Sequence, residues 1–225
     1  MHRGLKISVV IPCYNEEEGI RQVIASMPDY VDEVVVADNN STDQTGDVAR
    51  SLGAVVVFQP RRGYGAAYQA GLPAATGDVI ATLDGDGTYP ADEIAALVDA
   101  LEDRGLDFVS GSRFPLRDPK AMNLTNQIGN FVLTLFTGLL FWKPLRDSQS
   151  GMWVFRRSVL PRLRLTSDGM PFSEEIKIEA LRACGGRFAE MGIDYRPRIG
   201  EVKLQKWRDG WLNLRFLFAK RFGLV

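Results

Sequence analysis

Short apolar runs at 7–11, 33–37, 54–58, 79–83 and 108–110 alternate with helix-patterned stretches at about 16–27, 43–52, 65–75 and 91–104. Strand, helix and strand in regular succession build a parallel sheet whose crossovers pack helices on its faces. Each apolar run ends in polar residues, and ligands of such sheets bind beyond the carboxyl ends of the strands. Residues 12–16, 38–43, 84–88 and 111–113 are therefore expected to meet along one edge. The second half is less regular: 131–142 is nearly all apolar, 151–155 and 188–193 read as strands, and 174–184 and 211–221 as helices. The 131–142 run is short for a bilayer span of about 20 residues. With 225 residues, 45% of them apolar, the chain can bury a sizeable core, and one domain over 1–225 is expected.

The chemistry concentrates at Asp84-Gly85-Asp86, directly after the fourth apolar run. Alternate residues of an extended chain face opposite ways, so both carboxylates reach one spot only if the strand has bent there, which Gly85 permits. A hard divalent cation suits such a turn. Mg2+ or Mn2+ takes oxygen ligands and usually keeps one or two carboxylates beside substrate phosphates. A solvated Asp-Gly turn is the plain alternative.

Several function classes fall away. The formal net charge of −1 lacks the basic surplus of a phosphate-backbone binder, so no nucleic-acid partner is expected. His2 is the single histidine, which removes Ser-His-Asp, Cys-His and multi-His metal chemistry. Cys13 and Cys184 match no paired metal-ligand spacing and read as reduced thiols of a cytoplasmic protein. The start leads straight into a strand, with no signal-peptide pattern.

The residues 9–16 (VVIPCYNE), 38–43 (DNNSTD), 62–65 (RGYG), 83–86 (LDGD) and 111–113 (GSR) occur in that order, with DSQSG at 147–151 and YRPRIGEVKL at 195–204 further on. This succession resembles the family 2 glycosyltransferases, in the branch of dolichol-phosphate mannose synthases and bacterial polyprenyl-phosphate hexosyltransferases. The resemblance implies a GT-A fold, Rossmann-like with a mostly parallel central sheet flanked by helices. It also implies a nucleotide-sugar donor, GDP-mannose or a UDP-hexose, a divalent metal, and inversion at the anomeric carbon. Residues 1–113 would form the nucleotide-sugar half and 114–225 the acceptor half.

By that resemblance Asp86 holds the metal, Asp84 contacts the nucleotide and shares the metal, and Pro12, Tyr14, Glu16 and Asp38 line the base and ribose. Arg113 would pair with the phosphates or the acceptor, and Arg198 and Lys203 lie on a loop closing over both phosphates. Each has a plainer reading. Pro12 would end a strand, Tyr14 would pack, Glu16 would be a helix-start carboxylate, and the basic loop would be solvated. Glu175, near the start of the 174–184 helix, is the carboxylate expected to touch the acceptor, or to cap that helix.

The acceptor decides the mechanism. A sugar hydroxyl calls for a general base, whereas a polyprenyl monophosphate, with a second pKa near about 6, is already anionic and needs positioning. A lipid acceptor also accounts for apolar helices at 124–142 and 207–221, the latter mixing Trp211 and Phe218 with Arg215, Lys220 and Arg221. Such segments favour a membrane surface, here peripherally on the cytoplasmic side. Packing on the sheet, or on a second copy in a homo-oligomer, is the alternative. A glycan or small-molecule hydroxyl acceptor, or a non-catalytic nucleotide-sugar-binding module, are the competing functions. Thr88, Trp153 and Val202 depart from the branch pattern and leave the donor open.

Overall fold

A computed structural model describes residues 1–200 and 206–225. Among them, seven strands form one sheet in the order β3-β2-β1-β4-β6-β5-β7. The strands are β1 Ile7–Cys13, β2 Glu33–Asp38, β3 Val55–Phe58, β4 Val79–Thr82, β5 Phe108–Ser112, β6 Trp153–Arg156 and β7 Phe188–Gly192. The helices are α1 Glu17–Ala25, α2 Thr45–Ser51, α3 Tyr64–Gly71, α4 Ile94–Asp103, α5 Leu124–Phe141, α6 Phe172–Cys184 and α7 Lys206–Arg221.

The first half follows the expected alternation. β1 pairs parallel with β2 and β4, and β2 with β3. These strands read as continuous apolar runs because helices cover both faces: one side buries Ile7, Val9, Ile11, Val79 and Ala81 with Ile94 and Leu97 of α4. The other buries Val10, Val35 and Ile80 with Tyr68 of α3 and Phe172 and Ile176 of α6. Such two-sided burial is the normal state of a parallel sheet. Pro12 does not end β1, which runs on to Cys13. β4's last pairing to β1 is Val10–Thr82, so Pro12 lies beyond the reach of that neighbour, where a missing N–H costs nothing.

The fifth strand does not sit beside the fourth. β6 is inserted between them, antiparallel to both, and β7 pairs parallel with β5 at the margin. Because β6 runs backwards, the loop before it, 147–151, lies at the edge where β1, β2, β4 and β5 end. β7 delivers its following segment, 193–200, to that same edge.

α5 begins at Leu124, giving 18 residues, and by length and composition it could cross a membrane. Its inward face carries Asn130, Leu133, Thr134 and Thr137, and Leu133 packs with Ile178 of α6 and Leu217 of α7. Both apolar helices are thus partly packed on protein. Their other faces stay open: Phe131 is 67% exposed and Trp211 65%.

Candidate active site

The carboxyl ends of β1 and β2 are clasped together. Asn39 N–H donates to the Cys13 carbonyl at 2.8 Å. Asn15, in the left-handed region at φ 51°, accepts from Thr42 N–H at 2.7 Å and donates from its own N–H to Ser41 Oγ at 3.0 Å. Asn tolerates that backbone because its side chain bonds locally. Asp38 is buried, accepts from Ser41 N–H at 3.1 Å, and lies so close to α2 that a Cβ on Gly46 would stand 2.9 Å from its Oδ2. The Tyr14 ring carries the Arg62 guanidinium at 4.5 Å, within cation–π range. Glu16 stands at the N-cap position of α1 without a side-chain cap bond; its carboxylate pairs with Arg198. Glu16 thus stands at the helix start and also pairs with Arg198.

The acidic turn follows β4. A Cβ on Gly85 would sit 2.7 Å from Cys13 Sγ, so this glycine answers to close approach. It lies in the turn with Asp86, and Gly87 beyond it adopts the left-handed region at φ 74°. Asp84 Oδ1 accepts from Tyr64 Oη at 3.1 Å. Burial first, and then the neighbouring Asp86, push its carboxyl up to about 7. Asp86 Oδ1 accepts from Thr88 N–H at 3.0 Å and Thr88 Oγ1 at 2.7 Å, and its Oδ2 accepts from Arg198 Nη1 at 2.6 Å.

The donor set fits a divalent cation. It is two carboxylates on one turn, partly desolvated, with a guanidinium already drawn to one of them. Among the described residues no three carboxylate, histidine or cysteine groups cluster to form a closed cage, so further ligands fall to phosphate and water.

Arg113 is not an open clamp. It is 8% exposed, donates from Nε to Asp147 Oδ2 at 2.7 Å, and from Nη2 to Asp147 Oδ1 at 2.8 Å and Asn130 Oδ1 at 2.9 Å. Burial raises the Asp147 carboxyl, but Arg113 outweighs it and holds that group well below the usual carboxylate range. Lys177 Nζ, fully buried, donates to the Asp147 carbonyl at 2.5 Å; burial lowers its pKa to about 8.

Glu175 is fully buried and engaged within the fold. Its oxygens take Thr166 N–H at 3.0 Å, Ser167 N–H at 2.8 Å and Lys220 Nζ at 2.8 Å, stapling α7 to α6. Glu174 accepts from Gln149 Nε2 at 2.7 Å, and its second oxygen has no partner among the described residues. Lys203 and Val202 lie outside the described residues.

Pro12, Tyr14, Glu16, Asp38, Asp84, Asp86 and Arg198 thus gather at one edge, with Arg113 behind them. Sequence reading missed Tyr64 as the donor to Asp84, Thr88 as the group that fixes Asp86, and Asp147 as the partner of Arg113. Tyr64 and Asp147 stand in quoted motifs, but pairing them needs the fold.

Residues 8–164 match the family model described as "Glycosyl transferase family 2". A curated relative from Haloferax volcanii, the low-salt glycan biosynthesis hexosyltransferase Agl6, is 36% identical over 97% of this chain and 54% of its own length. The chain thus spans about half of that relative. A second from the same organism, a dolichyl-phosphate hexose transferase, is 34% identical over 91% of this chain and 89% of its own. Among solved structures, glucosyl-3-phosphoglycerate synthase from Mycobacterium tuberculosis, in complex with Mn2+, UDP-glucose and glycerol 3-phosphate, superposes with a TM-score of 0.78. It is 24% identical, covering 98% of this chain and 81% of that one, and carries the same fold.

Proposed function

This chain belongs to the family 2 glycosyltransferases, and from that premise we propose that it moves a hexose, mannose or glucose, from a nucleoside-diphosphate sugar to a polyprenyl phosphate. The observation that carries the reading is the acidic turn after β4. Asp84 and Asp86 lie at the carboxyl edge of the sheet, beside Glu16 and the Asp38 end of β2. Asp38, Tyr14 and Pro12 would bind the base and ribose of GDP-mannose or a UDP-hexose. Asp84 and Asp86 would hold Mg2+ or Mn2+, which when bound supplies positive charge to the leaving diphosphate.

The reaction breaks the bond between the anomeric carbon and the diphosphate oxygen and forms one to an oxygen of the acceptor phosphate, from the opposite face. An anionic phosphate needs orientation and charge compensation rather than deprotonation. Arg198 and Lys203 would supply that charge. Arg113, tied to Asp147 and Asn130, would stiffen the wall behind them and add its field. Residues 1–113 then serve the donor and 114–225 the acceptor. The relative named a dolichyl-phosphate hexose transferase supports a lipid acceptor, as do the open aromatic faces of α5 and α7. These would rest on the cytoplasmic face of a membrane.

The test is one panel. GDP-mannose, UDP-glucose, UDP-galactose and UDP-N-acetylglucosamine, each with Mg2+ or Mn2+ and a polyprenyl phosphate, are scored for glycolipid. One donor is expected to give product, and Asp86→Ala to lose at least about a hundredfold in turnover. Transfer to a free sugar hydroxyl but not to the lipid phosphate would overturn the acceptor assignment.

A further inference from the structure

In this structure a side chain already answers the charge of the acidic site. Arg198 Nη1 donates to Asp86 Oδ2 at 2.6 Å, and its Nη2 pairs with Glu16. Glu16, Asp38, Asp84 and Asp86 all bear electrostatically on the buried Cys13 thiol, and Arg198 touches two of them, Glu16 and Asp86. Carboxylates drawn out of water need a counter-charge, and Arg198 supplies one. We infer that Arg198 is an exchangeable counter-ion of these carboxylates, competing with the divalent cation for Asp86 and yielding it when the cation arrives with the donor diphosphate. The inference rests on reading Asp84 and Asp86 as the cation-holding pair.

Two observations make the contact exchangeable. The buried Nε of Arg198 has no partner among the described residues, and a guanidinium left with a buried, unbonded N–H is incompletely satisfied. Arg113 contrasts with it: its Nε and Nη2 are both engaged by Asp147 and Asn130. Furthermore, the Arg198 backbone is pinned to the acidic turn on both sides. Ile199 N–H donates to the Asp86 carbonyl at 2.9 Å, and Arg196 N–H to the Thr88 carbonyl at 2.9 Å. Rotation of one side chain therefore suffices, with no movement of the loop.

The exchange trades partners. A diphosphate offers the released guanidinium a bidentate anionic partner at the moment the cation takes its carboxylate. Cation and nucleotide should then strengthen each other's binding by equal factors, and the cation alone should bind weakly.

The test reads Mn2+ binding to the protein without any sugar donor, from the EPR signal of free Mn2+. Arg198→Ala is expected to bind Mn2+ alone about tenfold more tightly than the unaltered protein, and to gain less from added UDP or GDP. Arg196→Ala removes the same charge from the same segment, but Arg196 pairs with Asp92 at 3.0 Å; its Mn2+ affinity should not change. Equal or weaker Mn2+ binding by Arg198→Ala overturns the inference, as does equal tightening by Arg196→Ala. Should circular dichroism show Arg198→Ala unfolded, Arg198→Met keeps the stem and decides by the same criterion. Asp86→Ala separates the two readings: if it binds Mn2+ as well as the unaltered protein, the cation-holding pair is wrong. A failed donor panel leaves the Mn2+ comparison standing.

Discussion

Single residues in this site are constrained by space as much as by charge. A Cβ on Gly85 would stand 2.7 Å from Cys13 Sγ, and one on Gly19 would stand 2.3 Å from the carbonyl oxygen of Gly85. The acidic turn, β1 and α1 are therefore wedged together without room for one methyl. Gly85→Ala is expected to cost about 1–3 kcal/mol of stability through overpacking. Cys13→Gly in the same chain should return part of that loss, a coupling that urea unfolding of the double-mutant cycle measures; simple additivity would count against this contact. Asp147 is a different kind of constraint. Removing its charge while Arg113 stays buried leaves a cation without its partner, so Asp147→Ala should cost on the order of 3–5 kcal/mol.

At the scale of elements, α5 and α7 each divide their surface. Leu133 and Leu217 are 8% and 0% exposed and hold the pair to α6, while Phe131, Leu135 and Leu139 on α5, Trp142 just past its end, and Trp207 and Trp211 on α7, are exposed. Aromatic side chains beside exposed Lys143 and Arg215 match the demands of an anionic lipid surface. Phe131→Glu with Leu135→Glu should leave the fold intact and lower co-sedimentation with anionic liposomes severalfold. Unaltered co-sedimentation would return that face to protein packing. The division also explains why the 131–142 run was ambiguous: nearly continuous apolarity conceals an inward stripe of Asn130, Thr134 and Thr137 that becomes visible only against its neighbours.

For the whole molecule, the buried ionic cluster under β5, β6 and α6 links stability to pH with opposite signs. Asp147 has its folded pKa depressed, so its contribution is present above the ordinary carboxylate pKa near about 4 and is lost as pH falls below it. Lys177, at about 8 in the fold against an ordinary value of 10.5, binds more protons when unfolded between those limits. Its burial therefore costs stability below pH 8, and that cost is relieved as pH rises. Against Lys177→Met, the unaltered protein should gain on the order of 2 kcal/mol between pH 8 and 9.5, where the variant's unfolding curve stays flatter. The layout of the molecule was only half legible beforehand. Local periodicity declares each strand and helix, and in a parallel α/β sheet it also declares where the polar strand ends go, because every β-α-β unit is right-handed and runs the same way. Pro12, Tyr14, Glu16, Asp38, Asp84 and Asp86 could thus be placed along one edge from order alone. Past β5 the chain reverses, and nothing local to Trp153–Arg156 specifies that this strand inserts between β4 and β5. That insertion brings the 147–151 loop to Arg113, and β7 brings Arg198 to Asp86, across 112 residues of chain. Glu175 and Glu174 differ by one position on a helix, and their separate fates follow from which neighbour each meets. Sequence by itself determined the family, the donor half of the sheet and its acidic turn, since these depend on short-range pattern. Which charges meet which was decided by tertiary structure, because pairing of buried charges is set by distance through space and the desolvation they share.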